Sequence, residues 1–260
     1  MEKEIIVLKY GSSSVTHEKG MDTERLDVYA GYVNELMDDY GVVIVSSGAV
    51  AAGKVYWESL HGDFEENEPT KQVYAMLGSG LACTAWQESL AQYNKTAGQL
   101  LVTHRELDDQ EEGSVVVSSI KQSLENDVVP ICNENDALSE RELALLKYGG
   151  ENDGLASHIA RAIGAKALFL LNDSGGVRRN DRTEYEVIKE SSWSVVRSMA
   201  HLRSKKSQQG SGGIAAKVEA AISAAQAGID VYVGLAQSDP RALIANKVGT
   251  HFVAKAAEVR

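Results

Sequence analysis

Short runs of aliphatic and β-branched residues recur along the chain, separated by longer stretches in which apolar positions follow a helical spacing. Within each run the apolar residues are continuous rather than alternating, which is typical of strands buried on both faces of a sheet. Six runs have this pattern: Ile5–Leu8, Val42–Val45, Gln99–Val102, Asp127–Ile131, Ala167–Leu171 and Ile229–Val233.

The stretches between the runs predict amphipathic helices, the clearest being Glu24–Asp38, Lys71–Tyr93, Val115–Glu125, Gly154–Ile163 and Gly213–Ala227. Alternation of strands and helices predicts an α/β fold, a three-layer αβα sandwich whose central sheet is mainly parallel. No internal repeat or linker interrupts the 260 residues, so we expect a single domain over 1–260.

Residues able to carry chemistry follow four of the predicted strands at their carboxyl ends. They are Lys9 with Gly11, Ser12 and Ser13; Ser46-Ser47-Gly48-Ala49; Asn133-Glu134-Asn135-Asp136; and Asn172-Asp173. Parallel sheets bind ligands at this edge, and a lysine beside a glycine turn can hold phosphate through its charge and nearby backbone N–H groups. The alternatives are a solvated lysine in an ordinary turn and, for the Asn-Glu-Asn-Asp stretch, a polar turn with Asx caps.

A glycine-rich stretch, Gly210–Gly213, opens the predicted helix that carries Lys217. It does not follow a buried strand directly, which argues against a dinucleotide-binding fingerprint, and no Walker A pattern occurs. The stretch instead predicts a helix N-terminus that faces an anion, with a flexible loop and a surface lysine as the alternative. Asn152 and Asp153 open another predicted helix, where Asp153 is either a functional carboxylate or an N-cap. The polar segment Arg178–Gln209 is interpreted as a flap over a ligand or a solvated excursion.

Composition narrows the function classes. A net charge of −11 and a pI near 5.1 argue against a nucleic-acid or acidic-membrane binder.

No apolar run is long enough to span a membrane and no secretory signal is recognisable, so we expect a cytoplasmic protein. Cys83 and Cys132 lie in apolar segments and predict buried, reduced thiols. His104 and His158 stand alone without metal-ligand spacing, which argues against a zinc site.

Together these residues resemble the amino acid kinase family, and within it the glutamate 5-kinase branch. The matching motifs occur in the family's order over essentially the whole chain: Lys9–Ser13, Val45–Gly53, Lys71-Gln72, Val129-Pro130 with Asn133–Asp136, Gly150–Asp153, Leu170–Asp173, Gly210–Gly213 with Lys217, and Val248–Thr250. We expect this chain to lack the C-terminal RNA-binding-like domain that many members of the branch carry.

The resemblance implies a role for each matched position. Lys9 and Lys217 would contact the phosphates and stabilise the transferring phosphoryl group, and Asp153 would orient both lysines. The amino acid would be held by Ser47, Asp136 and Asn152. The nucleotide would be held by Lys9, Gly11, Ser12, Asn172, Asp173, Ser211, Gly212, Gly213, Ile214, Ala215, Ala216 and Lys217. No residue is predicted to be a direct metal ligand.

The implied activity is phosphorylation of the side-chain carboxylate of L-glutamate with ATP and Mg²⁺, the first step towards proline. The implied assembly is a homo-oligomer, a dimer or tetramer, with a small-molecule substrate as its partner and no nucleic acid or membrane. The chain departs from the family's usual residues at Asn172, Ser174 and Ala216, and the segment between Asp136 and Asn152 is longer than usual. Two alternatives therefore stay open, a kinase of the same fold for a different acid and a catalytically weak amino-acid or nucleotide sensor.

Overall fold

The computed structural model describes residues 3–62, 70–138, 151–204 and 213–256. Its strands are β1 (Glu4–Tyr10), β2 (Thr16–His17), β3 (Gly20–Met21), β4 (Tyr40–Ser46), β5 (Thr96–Val102), β6 (Val128–Glu134), β7 (Ala167–Asn172), β8 (Val187–Ile188), β9 (Asp230–Leu235) and β10 (Thr250–Phe252). Its helices are α1 (Ser12–Val15), α2 (Thr23–Leu36), α3 (Ala49–His61), α4 (Lys71–Ala91), α5 (His104–Asp108), α6 (Gln110–Glu125), α7 (Glu151–Ile163), α8 (Trp193–Ser204), α9 (Ile214–Gln226) and α10 (Pro240–Ile244).

Eight of these strands form one sheet, in the order β5-β6-β4-β1-β7-β9-β10-β8. The strands from β5 to β9 in that order are parallel to their neighbours, whereas β10 runs antiparallel to β9. The sheet is therefore mainly parallel, as predicted. From β1 the chain builds β4, β5 and β6 on one side and later β7 and β9 on the other. The crevice that binds ligands in such sheets then lies at the carboxyl ends of β1 and β7.

Side chains of β1 alternate between two apolar layers, one on each face of the sheet. Val7 belongs to a core shared with α6, α7, α8 and α9, whereas Ile6 and Leu8 belong to a core shared with α2 and α4. Helices therefore cover both faces, and the predicted three-layer αβα arrangement is confirmed.

One predicted strand differs from its expected burial. The residues of β5 were expected to be buried on both faces, but Gln99 is exposed and Leu100 and Leu101 are only partly buried. The reason is position, because β5 lies at the edge of the sheet and pairs with β6 alone. A run of aliphatic residues does not distinguish an edge strand from a central one.

The polar segment Arg178–Gln209 also differs from its interpretation. Its residues 193–204 form α8, whose Trp193, Val196 and Ala200 are buried in the core beside α9. This part is neither a flap nor a solvated excursion, and residues 205–209 lie outside the described residues. The apolar residues of α8 stand at helical spacing among charged residues. A search for continuous aliphatic runs therefore does not detect this helix.

Helices α3 and α4 approach each other closely through glycine. A Cβ atom on Gly53 would lie 1.9 Å from the backbone oxygen of Tyr74, and one on Gly78 would lie 1.9 Å from the oxygen of Ala49. The contact fixes the amino-terminal turn of α3 beside the carboxyl end of β4. Among the helices described here, none is long and apolar enough to cross a membrane.

Candidate active site

Lys9 is buried at the carboxyl end of β1, with 6% of the residue exposed. It stands two residues after Val7 and therefore faces the same layer, the one that contains α7 and α9. Its ammonium nitrogen lies 2.6 Å from Oδ1 of Asp153 in the first turn of α7. The alternative of a solvated lysine is therefore wrong.

Lys217 approaches the same carboxylate from the first turn of α9. Its Nζ donates a hydrogen bond to Oδ2 of Asp153 at 2.8 Å, so each carboxylate oxygen faces one lysine. Asp153 lies within α7 and its side chain contacts the lysines, so the alternative role as an N-cap does not apply. The Lys9–Asp153–Lys217 cluster joins a strand and two helices that are distant in sequence.

Electrostatics keep the carboxyl group of Asp153 ionised. Burial opposes ionisation of Asp153, but the two lysines outweigh it and hold the pKa of its carboxyl well below the usual range. Burial lowers the pKa of Lys217, and Lys9 lowers it further, whereas Asp153 acts in the opposite direction. Two ammonium groups share one carboxylate, so the ionised cluster carries one excess positive charge. A buried excess charge is costly unless an anion compensates it, which fits a phosphate ligand.

The turn after β1 uses part of its backbone within the protein. The N–H of Gly11 donates to the oxygen of Leu171 at 3.2 Å, joining the ends of β1 and β7. A Cβ on Gly11 would lie 3.7 Å from Nζ of Lys9, so Gly11 adjoins the lysine cluster. Ser12 lines the same cavity as Ser47.

The other predicted nucleotide residues fall into three groups. Asn172 has its amide bonded to the backbone oxygens of Gly175 and Gly234, both at 3.1 Å, and Asp173 accepts from the Ser14 hydroxyl at 2.7 Å. Partly buried residues begin α9, namely Gly213, Ile214, Ala215 and Ala216. Ser211 and Gly212 lie outside the described residues. The side chain of Asn172 therefore joins the carboxyl ends of β7 and β9 within the protein.

A cavity of about 270 Å³ opens beside the lysine cluster and contains all three residues predicted to hold the amino acid. Asn152 forms part of its wall and donates through Nδ2 to Oγ of Ser47 at 2.7 Å and to Oδ1 of Asn133 at 2.8 Å. These bonds join α7 to the carboxyl ends of β4 and β6. Asp136 lines the same cavity. It lies four residues after Cys132, where the apolar run of β6 ends.

The amino-terminal turn of α3 also lines the cavity, through Gly48, Ala49, Val50 and Ala51. Gly48 has a φ of +106°, and a Cβ there would lie 3.0 Å from the Thr16 side chain, so the turn favours glycine. Within the described residues no side chain caps this helix. Backbone N–H groups and the helix dipole at such a terminus favour a carboxylate or phosphate.

Four further cavity residues received no role from the sequence: Lys54, Lys71, His104 and Glu134. Glu134 lies in the Asn-Glu-Asn-Asp motif and Lys71 in one of the family matches, but neither motif predicts a specific role for these two side chains. His104 and His158 lack metal-ligand spacing in the sequence, and the fold brings them together, with their Nδ1 atoms 3.3 Å apart. The signal that could have identified His104 is its position directly after β5, at the same sheet edge as the other site residues.

Comparison with known proteins shows the family of this chain. The model of the amino acid kinase family matches residues 4–234. A glutamate 5-kinase of Nocardia farcinica is 34% identical over 258 residues, which cover 96% of this chain and 68% of that protein. A glutamate 5-kinase of Haemophilus influenzae (strain PittGG) is 29% identical over 266 residues, covering 98% of this chain and 70% of that protein.

Solved structures resemble the fold. Carbamate kinase from Giardia lamblia bound to AMP-PNP superposes with a TM-score of 0.68, and the match covers 98% of this chain and 99% of that one. The sequence identity is 15%, so this similarity concerns the architecture alone. It agrees with the largely parallel sheet described above.

Proposed function

This chain belongs to the amino acid kinase family, and we propose that it transfers a phosphoryl group from ATP to the side-chain carboxylate of L-glutamate. The product would be L-glutamyl 5-phosphate, in the first step of proline biosynthesis. The observation that carries the proposal is the buried Lys9–Asp153–Lys217 cluster beside the cavity. Similarity to glutamate 5-kinases over nearly the whole chain supports this choice of acceptor.

The chemistry needs positioning and charge stabilisation more than covalent catalysis. Lys9 and Lys217 would contact the phosphates and offset the negative charge of the group in transfer. Asp153 would hold both ammonium groups in place without reacting. A glutamate carboxylate has a pKa of about 4.3 and is ionised at pH 7, so the acceptor would attack without a general base.

The cavity suits an acceptor that carries both signs of charge. Glu134 and Asp136 offer carboxylates to an ammonium group, whereas Lys54, Lys71 and the N-terminus of α3 favour carboxylates. An α-amino acid with an acidic side chain has this combination of groups. Ser47 and Asn152 would then fix its orientation through neutral hydrogen bonds.

The nucleotide side fits ATP through the excess positive charge of the lysine cluster. We propose that Mg²⁺ accompanies the nucleotide, since this ion is usually held by phosphates, water and only one or two carboxylates. The same proposal includes a single domain and a cytoplasmic homo-oligomer acting on a small molecule.

The test is a coupled assay of ADP release in the presence of ATP, Mg²⁺ and an acceptor panel of glutamate, aspartate and carbamate. Hydroxylamine traps an acyl phosphate as a hydroxamate and thus identifies the acceptor group. We expect glutamate-dependent ADP release with an equal amount of hydroxamate, and no release without acceptor. A much higher kcat/KM for another acid would identify that acid, and not glutamate, as the substrate. No acceptor-dependent release at all would favour the sensor alternative.

A further inference from the structure

The turn between β1 and α2 is held in place from two sides. Ser14 lies in this turn, within α1, and is fully buried. Its hydroxyl donates a hydrogen bond to Oδ1 of Asp173 at 2.7 Å. Asp173 directly follows β7, which pairs with β1 in the sheet. This bond therefore joins the turn after β1 to the end of the neighbouring strand.

Helix α2 holds the same turn from the other side. Nη1 of Arg25 donates to the backbone oxygen of Ser13 at 3.0 Å. One helical turn later, the hydroxyl of Tyr29 donates to the backbone oxygen of Ser14 at 3.1 Å. Arg25 is itself oriented by Asp22, whose Oδ2 lies 3.2 Å from Nε of the arginine. Two successive carbonyl groups of the turn are therefore fixed to one face of α2.

Arg25 and Asp173 connect the two sides as an ion pair. Oδ2 of Asp173 lies 3.8 Å from Nη1 of Arg25, while Oδ1 accepts from Ser14. The side chains of Arg25 and Asp173 are 36% and 41% exposed, so the ion pair itself is weak. The hydrogen bond of Ser14 is the stronger link, because its hydroxyl is buried and its acceptor is charged.

This turn carries two of the residues predicted to hold the nucleotide, Gly11 and Ser12. A Cβ on Gly11 would lie 3.7 Å from Nζ of Lys9, and Ser12 lines the cavity. The N–H of Ser14 donates to the backbone oxygen of Gly11 at 3.0 Å, so the residues from Gly11 to Ser14 form one hydrogen-bonded turn. A displacement of Ser14 therefore moves Gly11 and Ser12 relative to Lys9, which is fixed in β1.

Asp173 is poorly suited to contact the phosphates itself. Its carboxylate has the same sign of charge as a phosphate, and its two oxygens already face Ser14 and Arg25. We propose that Asp173 is instead a positioning residue, which acts on the nucleotide through Ser14 and, with Arg25, keeps the turn in place for phosphate binding. The inference rests on the proposed function for the presence of phosphates at this turn.

The test is a double-mutant cycle on nucleotide binding. The probe is AMP-PNP, an ATP analogue that is not hydrolysed, in the presence of Mg²⁺, and its dissociation constant is measured by calorimetry. The variants are Ser14→Ala, Asp173→Ala and the double variant, with Asp173→Asn as the conservative change. An asparagine keeps a side-chain oxygen that can accept from Ser14, but it removes the negative charge.

Loss of a hydrogen bond to a charged group weakens an interaction about tenfold or more, so Ser14→Ala and Asp173→Ala should each weaken AMP-PNP binding by about tenfold. Because both changes break the same link, the double variant should also bind about tenfold more weakly, whereas independent effects would multiply to about hundredfold. Asp173→Asn should retain most of the affinity. Unchanged circular dichroism shows that each variant is folded.

Arg25 has a separate expected effect and a matched control. Arg25→Met keeps a long side chain but removes the donor to Ser13, so it should weaken AMP-PNP binding by about threefold. The control is Arg241→Met. Arg241 also bonds to α2, through Nη2 to the backbone oxygen of Glu35 at 2.9 Å, but at the opposite end of that helix. This control should leave the affinity unchanged, and equal effects of the two variants would reject the part assigned to Arg25.

Two results would overturn the inference: wild-type affinity in Ser14→Ala, or a loss in the double variant close to the product of the two single losses. The second result would mean that Asp173 contacts the nucleotide independently of Ser14. Failure of the proposed function looks different, because the wild type then forms no hydroxamate from glutamate. The cycle does not depend on the acceptor, so it still decides the role of Asp173 in that case. A wild type that does not bind AMP-PNP would reject both the nucleotide site and this role.

Discussion

Replacement of Asp153 by asparagine should cost both stability and activity. The side chains of Lys9, Lys217 and Asp153 are 7%, 12% and 5% exposed, so water cannot take over the lost interaction. An amide keeps one oxygen that can accept from one lysine, but its NH₂ group faces the other lysine with the wrong polarity. At least one buried ammonium group therefore loses its partner, which costs about 3–5 kcal/mol.

Urea unfolding followed by tryptophan fluorescence measures this cost. With an m value of about 3 kcal/mol/M, the midpoint should fall by about 1 M or more. A surface pair provides the control, since Lys166 and Glu4 lie 3.3 Å apart with side chains 56% and 60% exposed. Glu4→Gln should change the free energy of unfolding by less than about 1 kcal/mol.

The pH dependence has a definite sign. The pKa of Asp153 is lowered in the folded protein, so its contribution is present above the ordinary carboxyl pKa of about 3.9 and is lost as the pH falls through the folded pKa. In Asp153→Asn, Lys217 loses the carboxylate that raises its pKa, so the pKa of Lys217 falls further below its ordinary value. The folded variant then binds fewer protons than the unfolded chain. The difference in free energy of unfolding between the variant and the wild type should therefore become smaller as the pH rises towards about 10.

A neutral triple variant separates charge from packing. Replacing Lys9 and Lys217 by methionine and Asp153 by leucine removes all three charges, and such replacements are often neutral or stabilising. We expect the triple variant to recover most of the stability lost in Asp153→Asn while remaining inactive. If Asp153→Asn instead unfolds within about 0.5 M of the wild type and keeps its kcat, the carboxylate does not hold the lysines and the argument fails.

Three further predictions follow from single positions. Lys9→Ala and Lys217→Ala should each lower kcat by about 10²-fold or more, and an unchanged kcat in a folded variant would refute the assignment. Gly53→Ala should destabilise the protein by several kcal/mol, because its Cβ would lie 1.9 Å from a backbone oxygen of α4. The control is Gly80→Ala, whose Cβ would have no atom within 4 Å. This control variant should be neutral or stabilising in the same urea titration. Burial raises the pKa of the Cys132 thiol to about 12, so a thiol reagent at pH 7 should leave it unmodified until urea unfolds the chain, and rapid reaction in native buffer would contradict the buried placement.

The sequence predicted the central strands well because their signal is local. In β1 every residue from Ile6 to Leu8 is apolar and buried, and the adjacent Lys9 needs only the alternation of side chains to define its direction. The resemblance to a family, rather than any spacing, linked Lys9 with Asp153 and Lys217. Those three residues come from separate elements, and their approach depends on the strand order.

Features that depend on contacts between distant elements were missed. Helix α3 contacts α4 through Gly53 and Gly78, and glycines at a helix contact carry no apolar periodicity. His104 and His158 are 54 residues apart and meet because β5 lies at the end of the β5-β6-β4-β1 row, where α7 reaches it. No single-sequence pattern contains that order, so the sequence could not predict the contact between the two histidines.

Helix α7 fixes the relative positions of the lysine cluster, the cavity wall and the histidine pair. In its first turn Asp153 holds the lysine cluster and Asn152 holds Ser47 and Asn133, and just over one turn later His158 contacts His104. A helix is stiff over this length, so the three contacts keep fixed separations along the carboxyl edge of the sheet.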